Sequence, residues 1–483
     1  MNDIQKKAAN ALKWSSLAEI IAKIITPISN IILARLLTPE AFGVIATVTM
    51  VISFADMFSD SGFQKYLVQH EFCNDRELKE SANVSFCSNL LFSLLLWGGL
   101  SVFNEQISLL VGNQGLGIVI IAAGISLPIT SFSSIQSALF KRKFEFRILC
   151  CARVLSALVP LVITVPLAFF GMSYWSLIIG TIIGNMVTAI VLTVLSDWKP
   201  KLFFSTHIFM EMFSFSAWSL LESFGTWLSS YIGTFIVGSL LNQYYLGIYK
   251  TTMTTVNGVF AIITSATTTV LFSSLSRLQS DKQKYDNTFL EFINMVSIII
   301  IPLGIGIFIY SKLVTNILLG NQWHEAIPFV GIYGLMSCFT LILGQYASEY
   351  FRGLGKPKAN VLMTVLHLVA LVPALIISAK QGFLVLAYTR SIIKIEQIIV
   401  FWLIMWFGFE FNPLRIIKKI WKSLFSSIVM GLVGFYFVQT IDNLTIQFMT
   451  IFVCIVVYFC VYIFIFRGKE EIVSMIKIFI GKE

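Results

Sequence analysis

The sequence predicts an all-α polytopic membrane protein: fourteen transmembrane helices in two pseudo-symmetric six-helix bundles, followed by two C-terminal helices. Three observations predict it. The first is composition: of 483 residues, 57% are hydrophobic and only 12% are charged, against roughly a quarter charged in soluble domains. So little charge cannot cover a water-exposed surface of that extent. The second is the set of long apolar runs, and the third is an echo between the two halves of the chain.

A helix needs about 20 apolar residues to cross the hydrocarbon. Runs of that kind fall at 12–35, 41–63, 81–103, 115–139, 148–170, 174–196, 212–240, 244–272, 287–310, 326–351, 359–379, 382–408, 418–438 and 443–466. Their lengths exclude barrel strands, and backbone in lipid must otherwise be helical. The short connections leave no room for an extramembrane domain.

Lys and Arg fix the orientation. With the N-terminus inside, 26 of the 34 cations fall on cytosolic segments and Arg35, Lys312 and Lys380 fall outside. Both termini are therefore expected in the cytosol. Residues 1–13 read as a cytosolic lead-in, since no short apolar core precedes a small-residue cleavage site. The net charge of +9 follows from this inside bias and does not point to nucleic acid. The tail "RGKEEIVSMIKIFIGKE" sets Ile472, Ile476, Phe479 and Ile480 on one face bordered by lysines, the pattern of an interfacial helix.

The echo lies in "KWSSLAEIIAKIITPISNIILARLLTPEAFGVI" and "AWSLLESFGTWLSSYIGTFIVGSLLNQYYLGIY", which align without a gap at an offset of 204 residues. Trp14 falls on Trp218, Leu36 and Leu37 on Leu240 and Leu241, and Gly43 on Gly247. Both copies start on the cytosolic side, as parallel repeats do. The expected organisation is a six-helix bundle at 1–200, a second at 201–411, two additional spans at 412–466 and a cytosolic amphipathic tail at 467–483.

Charges inside these spans are the functional signal, because each costs about 2.5–3.5 kcal/mol at a helix centre on insertion scales. Span one carries Ser15, Glu19, Lys23, Thr26 and Asn30 on one face, and span two carries Thr49, Ser53, Asp56, Asp60 and Gln64. Their repeat partners carry Ser219, Glu222, Thr226, Ser230 and Gly233, and Lys250, Thr254, Asn257, Thr264 and Thr268. The economical arrangement turns all four stripes toward one hydrated cavity. Uncharged stripes serve equally as helix-packing surfaces, and Asp60 and Arg153 lie near enough to span ends to snorkel. Arg390 and Lys394, one turn apart, form a cationic pair with Glu396 nearby. His367 reads as a satisfied buried histidine. The seven cysteines show no CxxC spacing and the four histidines no metal-binding spacing, so no metal or other cofactor is expected.

Several stretches resemble the polysaccharide transporter family, the bacterial flippases of lipid-linked oligosaccharides, which shares a fold with the multidrug and toxin extruders. "ILARLLTPEAFGVIATVTMVISFADMFSDSGFQKYLVQ" is similar to its span one to two signature, "SALFKRKFEFR" to its basic loop before span five, and "GMSYWSLIIG" to its turn into span six. "VLFSSLSRLQSD", "LLGNQWHEA" and "FRGLGKPK" resemble its later segments, in the right order over most of 10–410. The acidic residue followed by I-G-R that the family often carries near the end of span seven is missing from "YIGTFIVGSLL".

The resemblance implies a substrate consisting of a sugar repeat unit on an undecaprenyl diphosphate carrier, moved across the bacterial cytoplasmic (inner) membrane for O-antigen, capsule or exopolysaccharide. It implies membrane lipids, a polymerase and other assembly proteins as partners. From depth and charge alone, Lys23, Lys250, Arg390, Lys394 and Arg153 are the candidate contacts for phosphate or acidic sugar. Glu19, Asp56, Glu222 and Asp60 are the candidates for coupling to a proton gradient, a sodium gradient or the membrane potential. Two other readings stand beside this one. A multidrug or cation antiporter would want an acidic, aromatic cavity; a glycan polymerase or ligase would want a larger outer loop with catalytic carboxylates or arginines.

Overall fold

The computed structural model describes residues 14, 21–22, 25–60, 62–356 and 358–473, leaving aside the side chains of 59–60, 215, 217–219, 221–222 and 266. All regular structure among them is helical. The helices are α1 (Ile25–Leu36), α2 (Pro39–Asp60), α3 (Phe63–Gln69), α4 (Asp75–Val102), α5 (Asn104–Leu110), α6 (Gly117–Gly124) and α7 (Ser126–Arg142). Then come α8 (Phe146–Val159), α9 (Val165–Phe169), α10 (Ser173–Leu195), α11 (Thr206–Leu240), α12 (Gln243–Ser276), α13 (Lys282–Ile309) and α14 (Ser311–Leu318). The last are α15 (Ile327–Thr340), α16 (Tyr346–Gly353), α17 (Lys358–Ala379), α18 (Phe383–Ile392), α19 (Lys394–Phe409), α20 (Leu414–Thr440) and α21 (Leu444–Cys460).

Eleven helices among the described residues are long and apolar enough to cross a membrane, and a twelfth is the pair Gln243–Ser265 and Thr267–Ser276, bent by 42°. The 35-residue α11 adds another long helix. Every span expected from 41 onward coincides with one of these helices or with a contiguous pair. The chain is a multi-pass helical membrane protein. Of the first expected span, 12–35, the portion from Ile25 is helical, and Glu19 and Lys23 lie outside the described residues. The tail is helical at 469–473 and lies outside them from 474.

Proline explains several breaks. Pro128 falls in the first turn of α7, and its ring conflicts with the carbonyl four residues earlier, at Gly124, where α6 ends. Pro160 opens a π-helical turn, Pro160–Thr164, and Pro166 follows in the first turn of α9. Pro302 and Pro373 instead sit inside continuous α13 and α17.

The chain divides into two compact units, Met1–Lys250 and Thr251–Glu483. In the first, Val44, Val48 and Val51 of α2 pack with Val119, Ile120 and Ala123 of α6 and Ile178 of α10. Near the basic loops, Arg142 donates to the carbonyls of Leu67 (3.1 Å) and His70 (2.6 Å) and lies 4.7 Å from the Phe72 ring, holding the end of α3. In the second unit, α13 is buried along most of its length, with α15 and α20 against it. The two additional spans dock there through Ser297 and Ser423 (3.1 Å) and through Tyr458, whose hydroxyl donates to the Ile298 carbonyl at 2.9 Å.

Candidate functional site

The first unit holds an open cavity of about 240 Å³ between α2, α6, α7 and α10, room for several waters. Thr49, Ser53 and Asp56, three members of the predicted stripe on span two, line it, together with Ser126 and Thr130 of α7 and Thr181 and Asn185 of α10. The helical step of α2 puts them on one face, and Ile45, Val48 and Ile52 complete that wall. The Asp56 carboxylate accepts a hydrogen bond from the Thr130 hydroxyl at 3.0 Å. A half-buried carboxylate beside hydroxyls and an amide suits a proton or a hard cation. Among the described residues no three His, Cys, Asp or Glu side chains gather as metal ligands.

The neighbouring Ser53 hydroxyl donates to the Met50 carbonyl (3.0 Å) and accepts from the Trp227 indole N–H (3.1 Å). Phe54 meets the same indole at 4.8 Å. Trp227 stacks on Tyr231 at 5.7 Å, and Lys250 Nζ lies 5.0 Å from the Tyr231 ring centre. An aromatic line thus runs from Lys250 to the helix that bears Asp56. The part of α11 that meets α2 is its aromatic face; Thr226 and Ser230 of the predicted stripe are exposed, and Ser230 bonds back to the Thr226 carbonyl. Asp60 and Glu222 lie on α2 and α11, with side chains outside the described set. Arg153 is exposed on α8 and lines no part of the cavity.

The second unit gathers a cationic cluster. Lys394 is buried, with Nζ 3.6 Å from the Tyr333 ring centre and donating to the Ser337 hydroxyl at 2.5 Å. The Arg390 guanidinium lies 5.9 Å from the same ring. Tyr333 OH reaches Asn257 Oδ1 at 3.4 Å, so the span-eight stripe meets this cluster through Asn257. Glu396 pairs with His367, Nδ1 to Oε2 at 2.9 Å. That contact satisfies His367 as expected. The break between α18 and α19 at Ile393 falls between the two cations. On the facing element, α15 passes into a π-helical turn, Leu341–Gln345, where Trp402 donates to the Leu343 carbonyl at 2.9 Å.

Sequence reasoning singled out Asp56, Lys250, Arg390 and Lys394 and missed their partners. Thr181 and Asn185 had a signal, being polar at i and i+4 in an apolar run. Tyr333, Ser337 and Trp227 had none, because aromatics and serines in apolar spans are ordinary packing residues.

Ionisable groups held inside a set of long apolar helices mark a multi-pass membrane protein with polar interior sites. The family described as polysaccharide biosynthesis protein matches residues 32–328, and the chain belongs to it. It is 25% identical over 364 residues to the succinoglycan biosynthesis transport protein ExoT of Rhizobium meliloti (strain 1021), covering 73% of this chain and 71% of that one. It is 22% identical over 408 residues to the lipopolysaccharide biosynthesis protein WzxC of Escherichia coli (strain K12), covering 81% and 80%. Among solved structures it is similar to the lipid II flippase MurJ in an inward closed conformation, with a TM-score of 0.76, 15% identity, and coverage of 94% of this chain and 98% of that one. The last likeness is one of fold.

Proposed function

We propose that the protein is a flippase carrying an undecaprenyl-diphosphate-linked oligosaccharide across the cytoplasmic membrane for surface polysaccharide assembly. The family match over 32–328 carries this reading. The physics agrees with it. A sugar-diphosphate head cannot cross hydrocarbon, while its isoprenoid tail stays in the bilayer, so the protein has to supply a polar and locally cationic route. Arg390 and Lys394, with Lys250 and Lys23, supply cationic charge for the diphosphate or acidic sugars. Asp56 couples the cycle to a proton, sodium or potential gradient, with Glu19, Asp60 and Glu222 as its companions on the stripes. Arg153 is the peripheral member of the cationic set. The cycle is alternating access of repeat-related bundles at 1–200 and 201–411, with both termini in the cytosol. The protein acts as a transporter, with polymerase and assembly proteins downstream.

The test is a strain lacking the native protein. Wild type should restore surface glycan and clear the lipid-linked repeat unit from the inner leaflet, whereas Arg390→Ala and Lys23→Ala should each restore less. Full restoration by both variants would remove these cations from the mechanism. Glycan absent despite membrane-inserted wild type, or a change in drug sensitivity alone, would sink the flippase reading.

A further inference from the structure

The 204-residue offset that superimposes Gly43 on Gly247 also superimposes Thr38 on Asn242 and Pro39 on Gln243. These positions open α2 and α12 and lie inside the first unit, which ends at Lys250 within α12. Asn242 caps α12, its side chain accepting from the Tyr245 N–H at 3.0 Å, and Thr38 stands at the same place before α2. Inside that unit the two helix starts touch backbone to backbone. A Cβ on Gly43 would lie 1.9 Å from the Gln243 carbonyl oxygen, and a Cβ on Gly247 would lie 1.8 Å from the Pro39 carbonyl oxygen and 3.0 Å from Gly43 N. Gly43 meets the repeat partner of Pro39, and Gly247 meets Pro39 itself. That is the reciprocal pattern of a two-fold contact.

The surrounding contacts hold the same end. Gly112, at φ +79°, brings its own backbone against α11, where a Cβ would lie 2.1 Å from the Gly238 carbonyl oxygen. Its neighbour Asn113 is buried and donates to Thr47 of α2 at 2.8 Å. The orientation read from Lys and Arg puts this end outside.

We propose that the Gly43–Gly247 crossing is the outer closure of the translocation path, and that it parts whenever the headgroup leaves. The proposal rests on the flippase reading and its orientation. Only glycine permits so close a backbone approach; any side chain at either position drives the helix starts apart. Since the contact is reciprocal, Gly43→Ala and Gly247→Ala have the same effect. Each weakens closure on the outside and favours the outward-open state.

The test uses the full chain in proteoliposomes, its native cysteines replaced, with spin labels at Leu36→Cys and Leu240→Cys. These two positions are repeat partners and both are exposed. The expected result is a dominant short distance in the parent and a shift toward longer distances of similar size in both alanine variants. Unchanged distances in both variants, or a change in one alone, overturns the proposal. A second measurement keeps the native glycines and adds undecaprenyl diphosphate to the vesicles, which should populate the longer distance. A fixed short distance with and without it also overturns the proposal. Neither readout depends on glycan export, so a failure of the flippase reading in the complementation strain is seen separately.

Discussion

Lys394 shows what one buried lysine needs. Its Nζ is held by the Tyr333 ring face and the Ser337 hydroxyl, and a desolvated cation–π contact is worth about 2 kcal/mol. Tyr333→Leu removes the ring and should cost about 2 kcal/mol of stability, read as a lower unfolding temperature in detergent. Lys394→Met removes the charge at similar volume and should be close to neutral in that assay, while lowering glycan export. Loss of stability without loss of export would make this lysine structural. Exposed pairs behave differently. Lys143 hydrogen-bonds Asp197 at 2.9 Å with side chains 47% and 85% exposed, and that bond holds the Asp197 carboxyl below the ordinary aspartate value. A lowered carboxyl contributes stability above its unfolded pKa, about 3.9, and loses it as pH falls through the lowered value. At neutral pH, water screens so exposed a pair. Lys143→Ala should therefore leave the unfolding temperature unchanged.

At the scale of elements, a buried carboxylate ties three helices together. Asp286 at the start of α13 accepts from Tyr350 OH of α16 at 2.7 Å and from Arg415 of α20 at 3.3 Å, and Arg415 also reaches Asn287 at 3.2 Å. Tyr285 OH adds a bond to the Tyr350 carbonyl at 2.6 Å. Asp286→Ala strands the buried Tyr350 hydroxyl and leaves Arg415 with Asn287 and water, and should cost about 2 kcal/mol, whereas Asp286→Asn keeps an acceptor for Tyr350 and should cost less. Thermal unfolding of the two variants checks the order. The helices themselves were legible, because lipid leaves the backbone only one way to satisfy its hydrogen bonds, and the break before α7 was written in Pro128. The π-helical turn at Leu341–Gln345 was not legible. It contains no proline and is shaped by partners far along the chain: Trp402 on the Leu343 carbonyl and Phe401 packed against Gly344, where a Cβ would lie 3.0 Å from its ring. Local sequence carries no record of such contacts. The Asp286 staple was hidden for the same reason, since an acid at the start of a membrane-spanning helix looks like a solvated one.

At the scale of the whole molecule, the charges in the spans could be read because lipid makes each of them expensive, and the repeat could be read because its spacing has no gap. What each charge meets depends on helix rotation, which periodicity leaves free. Asp56 is where this bears on function, since it brings a carboxylate to the cavity of the first unit, held by Thr130. If one proton or monovalent cation crosses with each cycle through Asp56, a potential of 100 mV supplies about 2.3 kcal/mol per charge. At 1.4 kcal/mol per tenfold, that allows lipid-linked oligosaccharide to accumulate about 40-fold on one side. Asp56→Asn keeps the shape and an acceptor for Thr130 but removes the titratable charge. It should therefore still let the lipid cross but lose the response to an imposed pH or sodium gradient, while an imposed potential still acts on the anionic diphosphate itself. Thr130→Val leaves the carboxylate in place and should keep the gradient response. The measurement is leaflet distribution of lipid-linked oligosaccharide in proteoliposomes, with the pH gradient, sodium gradient and potential imposed one at a time. A gradient response that survives in Asp56→Asn assigns coupling to another carboxylate on the stripes, with Glu19 and Glu222 next to be replaced. Loss of the response in Asp56→Asn with its retention in Thr130→Val places the driving force in this cavity, and the gradient that wild type obeys names the ion.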